Sequence, residues 1–262
     1  MTPTRYDHPS RQHLPRWARY VAWLGFWTGL AASLLMLLAG PAYRLHIVSL
    51  GTAFSLLGMA AKGGVGAAVI ALTGLILSLL ARRSRLAWIA GLGLLMGPLA
   101  FVPPWLFMHK ARSVPPIHDI STDTRNPPAF QAVLALRKPG DNSAVYAGPK
   151  LAAQQHAAYP DIRPLHFAQP PDKVFAAALA VAKDMDWHID ADHPKAGRIE
   201  ATATTFWFGF KDDVVIRVEP DGTGTRLDIR SASRIGVSDV GKNADRIRDF
   251  RSRIDQRLRA PG

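Results

Sequence analysis

Hydrophobic and polar positions follow two unlike regimes along this chain, and they meet near residue 109. Ahead of that point run long apolar stretches interrupted by arginine. Behind it apolar residues recur at the spacings of water-soluble helices and strands. Three membrane spans are predicted: Trp17 to about Leu38, Gly64 to Leu80, and Leu86 to Met108. The third reaches about 34 Å at 1.5 Å per helical residue, enough to cross a bilayer with slight tilt. Ile47 to Leu80 is an apolar region of 34 residues broken at Lys62-Gly63-Gly64, too long for one ordinary span and short for two. The break predicts that residues 46–61 form a separate interfacial or re-entrant helix.

Residues 109–170 carry many of the prolines, from Pro115-Pro116 to Pro170, and predict a mostly extended segment packed on the domain C-terminal to it, with a short helix at Phe130–Leu136. From Pro171-Asp172 onward the pattern is regular. Val174, Ala177, Ala178, Val181 and Met185 fall at helical spacing. Trp187, Ile189 and Ala191 alternate with polar residues in a first strand, and Arg198 to Phe208 reads as a second. Val214, Ile216 and Val218 mark a third strand; Thr225, Leu227 and Ile229 mark a fourth, opposed by Arg226, Asp228 and Arg230. Ala244, Ile247, Phe250, Ile254 and Leu258 stripe a last helix at Lys242–Arg259. The predicted fold is α+β: a three-helix transmembrane anchor, then a helix-grip-like domain over 171–262 built as helix, four-stranded antiparallel sheet, helix.

Charge then orients the anchor. The formal net charge is +12, but residues 1–108 carry 9 basic and 1 acidic residue, whereas 109–262 carry 23 and 19. Most of the excess therefore belongs to the anchor, and no nucleic-acid face is expected. Arg5, Arg11, Arg16 and Arg19 precede the first span, and Arg82, Arg83 and Arg85 separate the second from the third. By the positive-inside rule the tail 1–16 is cytoplasmic and the carboxy-terminal domain periplasmic or otherwise extracytoplasmic, in a bacterial inner membrane. The first apolar run is longer than a signal peptide's, so it is expected to be retained. The chain has no cysteine, which removes disulfides, thiolate metal sites and cysteine nucleophiles. Gly93 and Gly97 form a GxxxG that suits close helix contact, within the bundle or in a homodimer.

Two strings stand out. One is Val114-Pro115-Pro116-Ile117-His118-Asp119-Ile120-Ser121-Thr122-Asp123, followed by Asn126-Pro127-Pro128-Ala129-Phe130. The other runs from Arg230-Ser231-Ala232-Ser233-Arg234-Ile235-Gly236 through Val237-Ser238-Asp239-Val240-Gly241-Lys242-Asn243 to Arg246-Ile247. Together they resemble an uncharacterised bacterial family, the domain of unknown function 1499, over about residues 112–255. The resemblance implies a domain that often follows apolar segments. It implies no reaction, ligand or catalytic residue.

Each constellation has a functional and a structural reading. His118, Asp119 and Asp123 could form a catalytic His/carboxylate site, with Arg234 stabilising an anion; alternatively Asp119, Ser121 and Asp123 hold a proline-stripped turn through local amides. Ser231 and Ser233 continue the core-facing register of Leu227 and Ile229 and suggest a polar pocket at the sheet's end. Arg230, Ser231, Ser233, Arg234, Ser238, Asp239 and Asn243 are accordingly the ligand-binding candidates, against a structural reading in which Arg234 pairs with Asp119, Asp123 or Asp239. Ser238 or Asp239 would cap the last helix. His188, Asp190 and Asp192 share a strand face without requiring a metal, and Phe206, Trp207, Phe208 and Phe210 read as packing residues. No cofactor or metal is called for. The expectation is a membrane-anchored, non-enzymatic binding or scaffold module whose partners are the bilayer and a lipid, an envelope component or a protein; a hydrolase-like enzyme is the alternative.

Overall fold

A computed structural model describes residues 17–259. The predicted cytoplasmic tail, with Arg5, Arg11 and Arg16, lies outside the described residues. The chain divides into two compact units, one ending at Met108 and the other beginning at His109.

The first unit contains α1 (Trp17–Arg44), α2 (Leu50–Leu80) and α3 (Ser84–Ser113) as far as Met108, each helix long and apolar enough to cross a membrane. Its packing inverts that of a soluble core. Small residues are buried: Ala22, Gly25 and Gly29 on α1, Gly64, Ala67 and Ala71 on α2, Gly93 and Gly97 on α3. Large ones such as Trp27, Leu72 and Leu95 are exposed. This arrangement lets backbones touch where no water drives large side chains inward. A Cβ on Gly93 would lie 2.8 Å from Phe26 N, and one on Gly97 would lie 2.6 Å from Gly64 O. Ser33 Oγ also donates to Met96 O at 3.0 Å. The GxxxG glycines are thus spent on α1 and α2 of the same chain.

The predicted break at Lys62-Gly63-Gly64 is absent, because α2 continues unbroken through it. No separate helix occupies 46–61. The glycine that suggested a breaker is a packing residue: a Cβ on Gly64 would meet Gly97 O at 2.6 Å. Glycine costs an apolar helix little when the neighbouring backbone fills the space it leaves. Gly97→Ala in the full-length chain should therefore lower stability by about 1–3 kcal/mol through overpacking. Gly91→Ala, where a Cβ meets nothing within 4 Å, should be neutral or stabilising. Thermal unfolding midpoints in one detergent compare the two; equal midpoints would refute the close contact.

The second unit contains β1 (Asp119–Ser121), α4 (Pro149–Ala158), β2 (Leu165–Phe167), α5 (Pro171–Asp184), β3 (His188–His193), β4 (Arg198–Thr204), β5 (Lys211–Asp221), β6 (Gly224–Ser233) and α6 (Lys242–Arg259). The antiparallel sheet has six strands in the order β1-β6-β5-β4-β3, with β2 on the same edge of β6 as β1 but farther along it. The four predicted strands are β3 to β6. β4 is shorter than predicted, since Thr205–Phe208 turns the chain.

The segment expected to be mostly extended holds more structure than its prolines suggest. It supplies β1, β2, a 3-10 turn at Ala132–Leu136 where a short helix is predicted, and α4, which is not predicted. Pro149 sits at the first helical position, where a missing N–H costs nothing. On α4, Gln155 is fully buried. It accepts from Ser121 N at 3.0 Å and donates to Ser121 O at 2.7 Å, so its amide stands in for a further strand on the β1 edge.

One sheet face is apolar. Ile199, Ala201, Val214, Ile216, Leu227 and Ile229 lie in one core with Val174 and Val181 of α5 and with Ile247, Phe250 and Ile254 of α6. Trp187 stacks on Phe250 at 5.7 Å. The opposite face is buried but polar, presenting Glu200, Thr202, Asp213, Asp228 and Arg230 around a small apolar patch of Phe130, Val133, Val215 and Ala232. Residues 122–146 cover it.

Candidate functional site

The candidate residues fall into three places, each set by strand parity. Arg230 and Arg234 point to the polar face, Ser231 and Ser233 to the helix side, and His118 lies beside a cleft.

On the polar face the candidates meet one another. Arg230 donates through Nε and Nη2 to the two oxygens of Asp119, at 2.9 and 2.7 Å, and also to Pro128 O and Ala144 O. Its guanidinium lies over the rings of Phe130 and Tyr146, at 4.6 and 5.4 Å from the ring centroids. Burial between these groups pushes the Tyr146 hydroxyl up to about 12. Arg234 does not pair with Asp119, Asp123 or Asp239. It donates to Asp213 on the adjacent strand, at 2.9 and 2.6 Å, and Arg137 takes the other oxygen at 2.7 Å. The reason is register: Asp213 stands opposite Ala232, two residues from Arg234 on the same face.

Asp123 accepts from the amides of Arg125 and Asn126 and from Arg217 and Arg226, both of which also donate to Asp228. Glu200 accepts from Arg198 and from the amides of Gln131 and Val133, which open the 3-10 turn. Glu200, Asp213 and Arg137 are not among the residues singled out from sequence. The signal for the first two was the parity of β4 and β5, which puts both opposite the apolar positions.

Both Asp123 and Glu200 titrate low. Burial, the largest influence, would raise each carboxyl, but it is outweighed: for Asp123 by the Asn126 and Arg125 amides with Arg226 and Arg217, and for Glu200 by Arg198 with the Gln131 and Val133 amides. A depressed carboxylate stabilises the fold above its unfolded value and loses that contribution as pH falls through the folded one. Stability should accordingly decline as pH drops below 4.5 for Glu200 and below 3.8 for Asp123. Glu200→Gln should flatten the upper part of that decline, measurable as unfolding midpoints against pH.

At the helix side the serine pocket is filled from within. Ser231 Oγ donates to Asn243 Oδ1 at 2.7 Å, and Asn243 Nδ2 donates to His118 O and Ser233 Oγ at 2.9 and 3.0 Å. Arg246 donates to Ser231 Oγ, Asn243 Oδ1 and Asp212. Asp239 accepts from Gly241 N at 2.8 Å and Asn243 N at 2.7 Å, while Ser238 Oγ accepts from Val240 N. Burial holds the Asp239 carboxyl above its ordinary value, against the two amides that lower it. Asp239→Ala should cost about 1–2 kcal/mol as a lost helix cap. A smaller cost for Asp239→Asn, which keeps one acceptor and removes a buried charge, would separate capping from charge in denaturant titrations.

The arginines of α6 are largely paired as well, Arg248 with Asp161, Arg253 with Asp249 and Arg257 with Asp184. On β3, Asp190 accepts from Thr202 Oγ1, with His188 exposed beside it. Among the described residues no group of three or more His, Asp or Glu could hold a metal ion.

What stays open is a cleft of about 240 Å³ whose lining includes Ile117, His118, Asp119, Ser143, Lys150 and Leu151. Here His118 Nδ1 is buried and has no hydrogen-bond partner among the described residues. Asp119, which precedes Ile120 and so points away from His118, has both oxygens on Arg230. His118, Asp119 and Asp123 are therefore not assembled into one acid–base unit. Lys150 escapes sequence analysis because α4 does. The model of a family described as a protein of unknown function (DUF1499) matches residues 119–254. No curated protein matches the chain.

Proposed function

This chain belongs to the DUF1499 family, and we propose that it is a membrane-anchored, non-catalytic binding module whose folded domain lies outside the cytoplasm of a bacterial cell. The observation that carries the reading is the contrast between occupied and open polar atoms. Arg230, Arg234, Asp119, Asp123, Asp239 and Asn243 are committed to ion pairs, caps and amides inside the domain. His118 Nδ1 alone among the candidates is buried without a partner among the described residues, and His118 lines a cleft of about 240 Å³. A lining that combines His118 and Lys150 with Ile117 and Leu151 suits a ligand that joins one anionic or hydrogen-bonding group to an apolar portion, as lipids and envelope precursors do.

Native mass spectrometry of the detergent-extracted full-length chain tests the binding. A retained small molecule that is lost in His118→Ala and Lys150→Ala supports it; an unliganded species in every preparation overturns it. The orientation rests on Arg19 in the first turn of α1 and on Arg82, Arg83 and Arg85 at the junction of α2 and α3. Protease added to intact spheroplasts should remove the domain. Its survival there, with cleavage after lysis, would place the domain in the cytoplasm.

A further inference from the structure

A notch on the second unit shares no lining residue with the cleft beside His118. It lies between α6 and the short connection from α4 to β2, and its lining includes Asp161, Ile162, Arg163, Ile247, Arg248 and Arg251. The local sequence makes that connection stiff. Tyr159-Pro160-Asp161-Ile162-Arg163-Pro164 holds two prolines, each of which fixes a φ angle. Tyr159 N donates to Gln155 O and Ile162 N to Tyr159 O, so the chain leaves α4 through a hydrogen-bonded turn. Tyr159 and Ile162 are buried, whereas Asp161 and Arg163 stay exposed. On α6, Arg248 and Arg251 are three residues apart and so neighbours on the helix surface.

The three arginines are held in different ways. Arg248 is taken by a carboxylate: its Nε and Nη2 donate to the two oxygens of Asp161 at 2.7 and 2.8 Å, and its guanidinium lies over the Tyr159 ring, 5.4 Å from the centroid. Arg163 and Arg251 are held by carbonyls. Arg163 Nε donates to Pro160 O at 2.9 Å, and Arg251 Nη1 reaches Asp161 O at 3.4 Å. A carbonyl positions a guanidinium without neutralising it. Among the described residues neither side chain has a carboxylate within ion-pair distance, unlike Arg253 and Arg257 farther along α6, which Asp249 and Asp184 hold. Arg163 therefore keeps both Nη groups, and Arg251 keeps Nε and Nη2. Each is a pair of parallel donors of the kind that takes two oxygens at once.

Charge and size then select the ligand. Three guanidiniums against one carboxylate leave the lining with an excess of positive charge. The notch holds about 10 Å³, the room of a single water, so an anion must lie across its mouth and not within it. A carboxylate has two oxygens and would occupy one fork. A phosphate monoester presents three strong acceptor oxygens and a charge of about −1.5 to −2 at pH 7, which suits two forks lining one notch.

We infer that Arg163 and Arg251, with Arg248 beside them, form a binding site for a phosphate group, borne by a soluble phosphate or by a phosphorylated headgroup. The site is independent of any ligand at His118 and goes beyond that reading.

The test titrates inorganic phosphate into the full-length chain, carrying isotope-labelled arginine, in micelles of uncharged dodecyl maltoside. Nuclear magnetic resonance follows the guanidinium Nε–H signals. Those of Arg163 and Arg251, identified by their loss in Arg163→Gln and Arg251→Gln, should shift to saturation, while that of Arg257 should stay in place. Each single substitution should weaken binding about tenfold, as removal of hydrogen bonds to a charged group does. Asp161→Asn should strengthen it, because the fork of Arg248 is then released. Added salt should weaken it, since the site is exposed. His118→Ala should leave the titration unchanged, which separates failure here from failure at the cleft. Micelles doped with phosphatidic acid, without inorganic phosphate, distinguish the sources: a response to the lipid alone assigns a headgroup, and a response to inorganic phosphate assigns a soluble ligand. Shifts spread evenly over the arginines of α6, unchanged binding in the combined Arg163→Gln, Arg251→Gln variant, or silence toward both probes would each overturn the inference.

Discussion

Replacing Arg230 by methionine should destabilise the second unit by about 3–5 kcal/mol, because Asp119 is left charged and unpaired beneath residues 122–146. The two side chains are 2% and 4% exposed, so water cannot take over the lost partner. Besides the carboxylate, the guanidinium serves two carbonyls, Pro128 O and Ala144 O. Arg230→Lys should recover only part of the loss. An ammonium supplies a point charge but not the fork that reaches both oxygens of Asp119, nor the flat surface lying against Phe130. The combined Asp119→Leu, Arg230→Met variant should regain most of the stability, since removing both charges removes the desolvation penalty together with the attraction. Urea midpoints of the full-length chain in micelles give the cycle. If Arg230→Met and the double variant unfold alike, the two charges are not coupled.

The same layer explains which parts of this protein are legible in the sequence. β3 to β6 are readable because their helix-side face alternates cleanly, as in Val214, Ile216 and Val218. α5 and α6 are readable because each buries one stripe. Parity also puts Arg230 and Arg234 on the face opposite Ser231 and Ser233. It cannot say which acid meets which arginine. Arg234 pairs with a residue 21 positions away on the neighbouring strand, and Arg230 with one 111 positions away. Nor do three-residue strands such as β1 and β2 carry a period. α4 hides among prolines because Pro149, at its first position, looks like a breaker to a reader who does not know where the helix starts. α2 shows the converse error, since glycines that let backbones touch look like a break. His118 and Asp119 illustrate the limit most directly: adjacent in sequence and chemically suggestive together, they are separated by the alternation of an extended chain.

Asp213→Ala should be the second severe change, again about 3–5 kcal/mol, because it leaves two buried guanidiniums without their carboxylate. Asp213 has no exposed side-chain surface and holds Arg137 through one oxygen and Arg234 through the other. The site has little reserve, since Arg137 Nη2 is already buried without a partner among the described residues. Its failure should differ in character from that of Arg230. Arg137 ties the turn at 132–136 to the sheet, donating also to Asn142 O, and Asn142 N in turn donates to Arg234 O at 2.6 Å. With the carboxylate gone, mutual repulsion of Arg137 and Arg234 should lift residues 131–142 before the helix-covered core yields, since that core on the other face makes no use of Asp213. Hydrogen exchange should then show the Val133 and Asn142 amides losing protection while Ile216 and Ile229 retain theirs. Uniform loss across both sets would mean that the polar layer and the apolar core unfold as one unit, and that residues 131–142 are not a separable cover. Local opening would instead identify a cover held chiefly by charge, whose removal exposes β5 and β6 without dismantling the sheet.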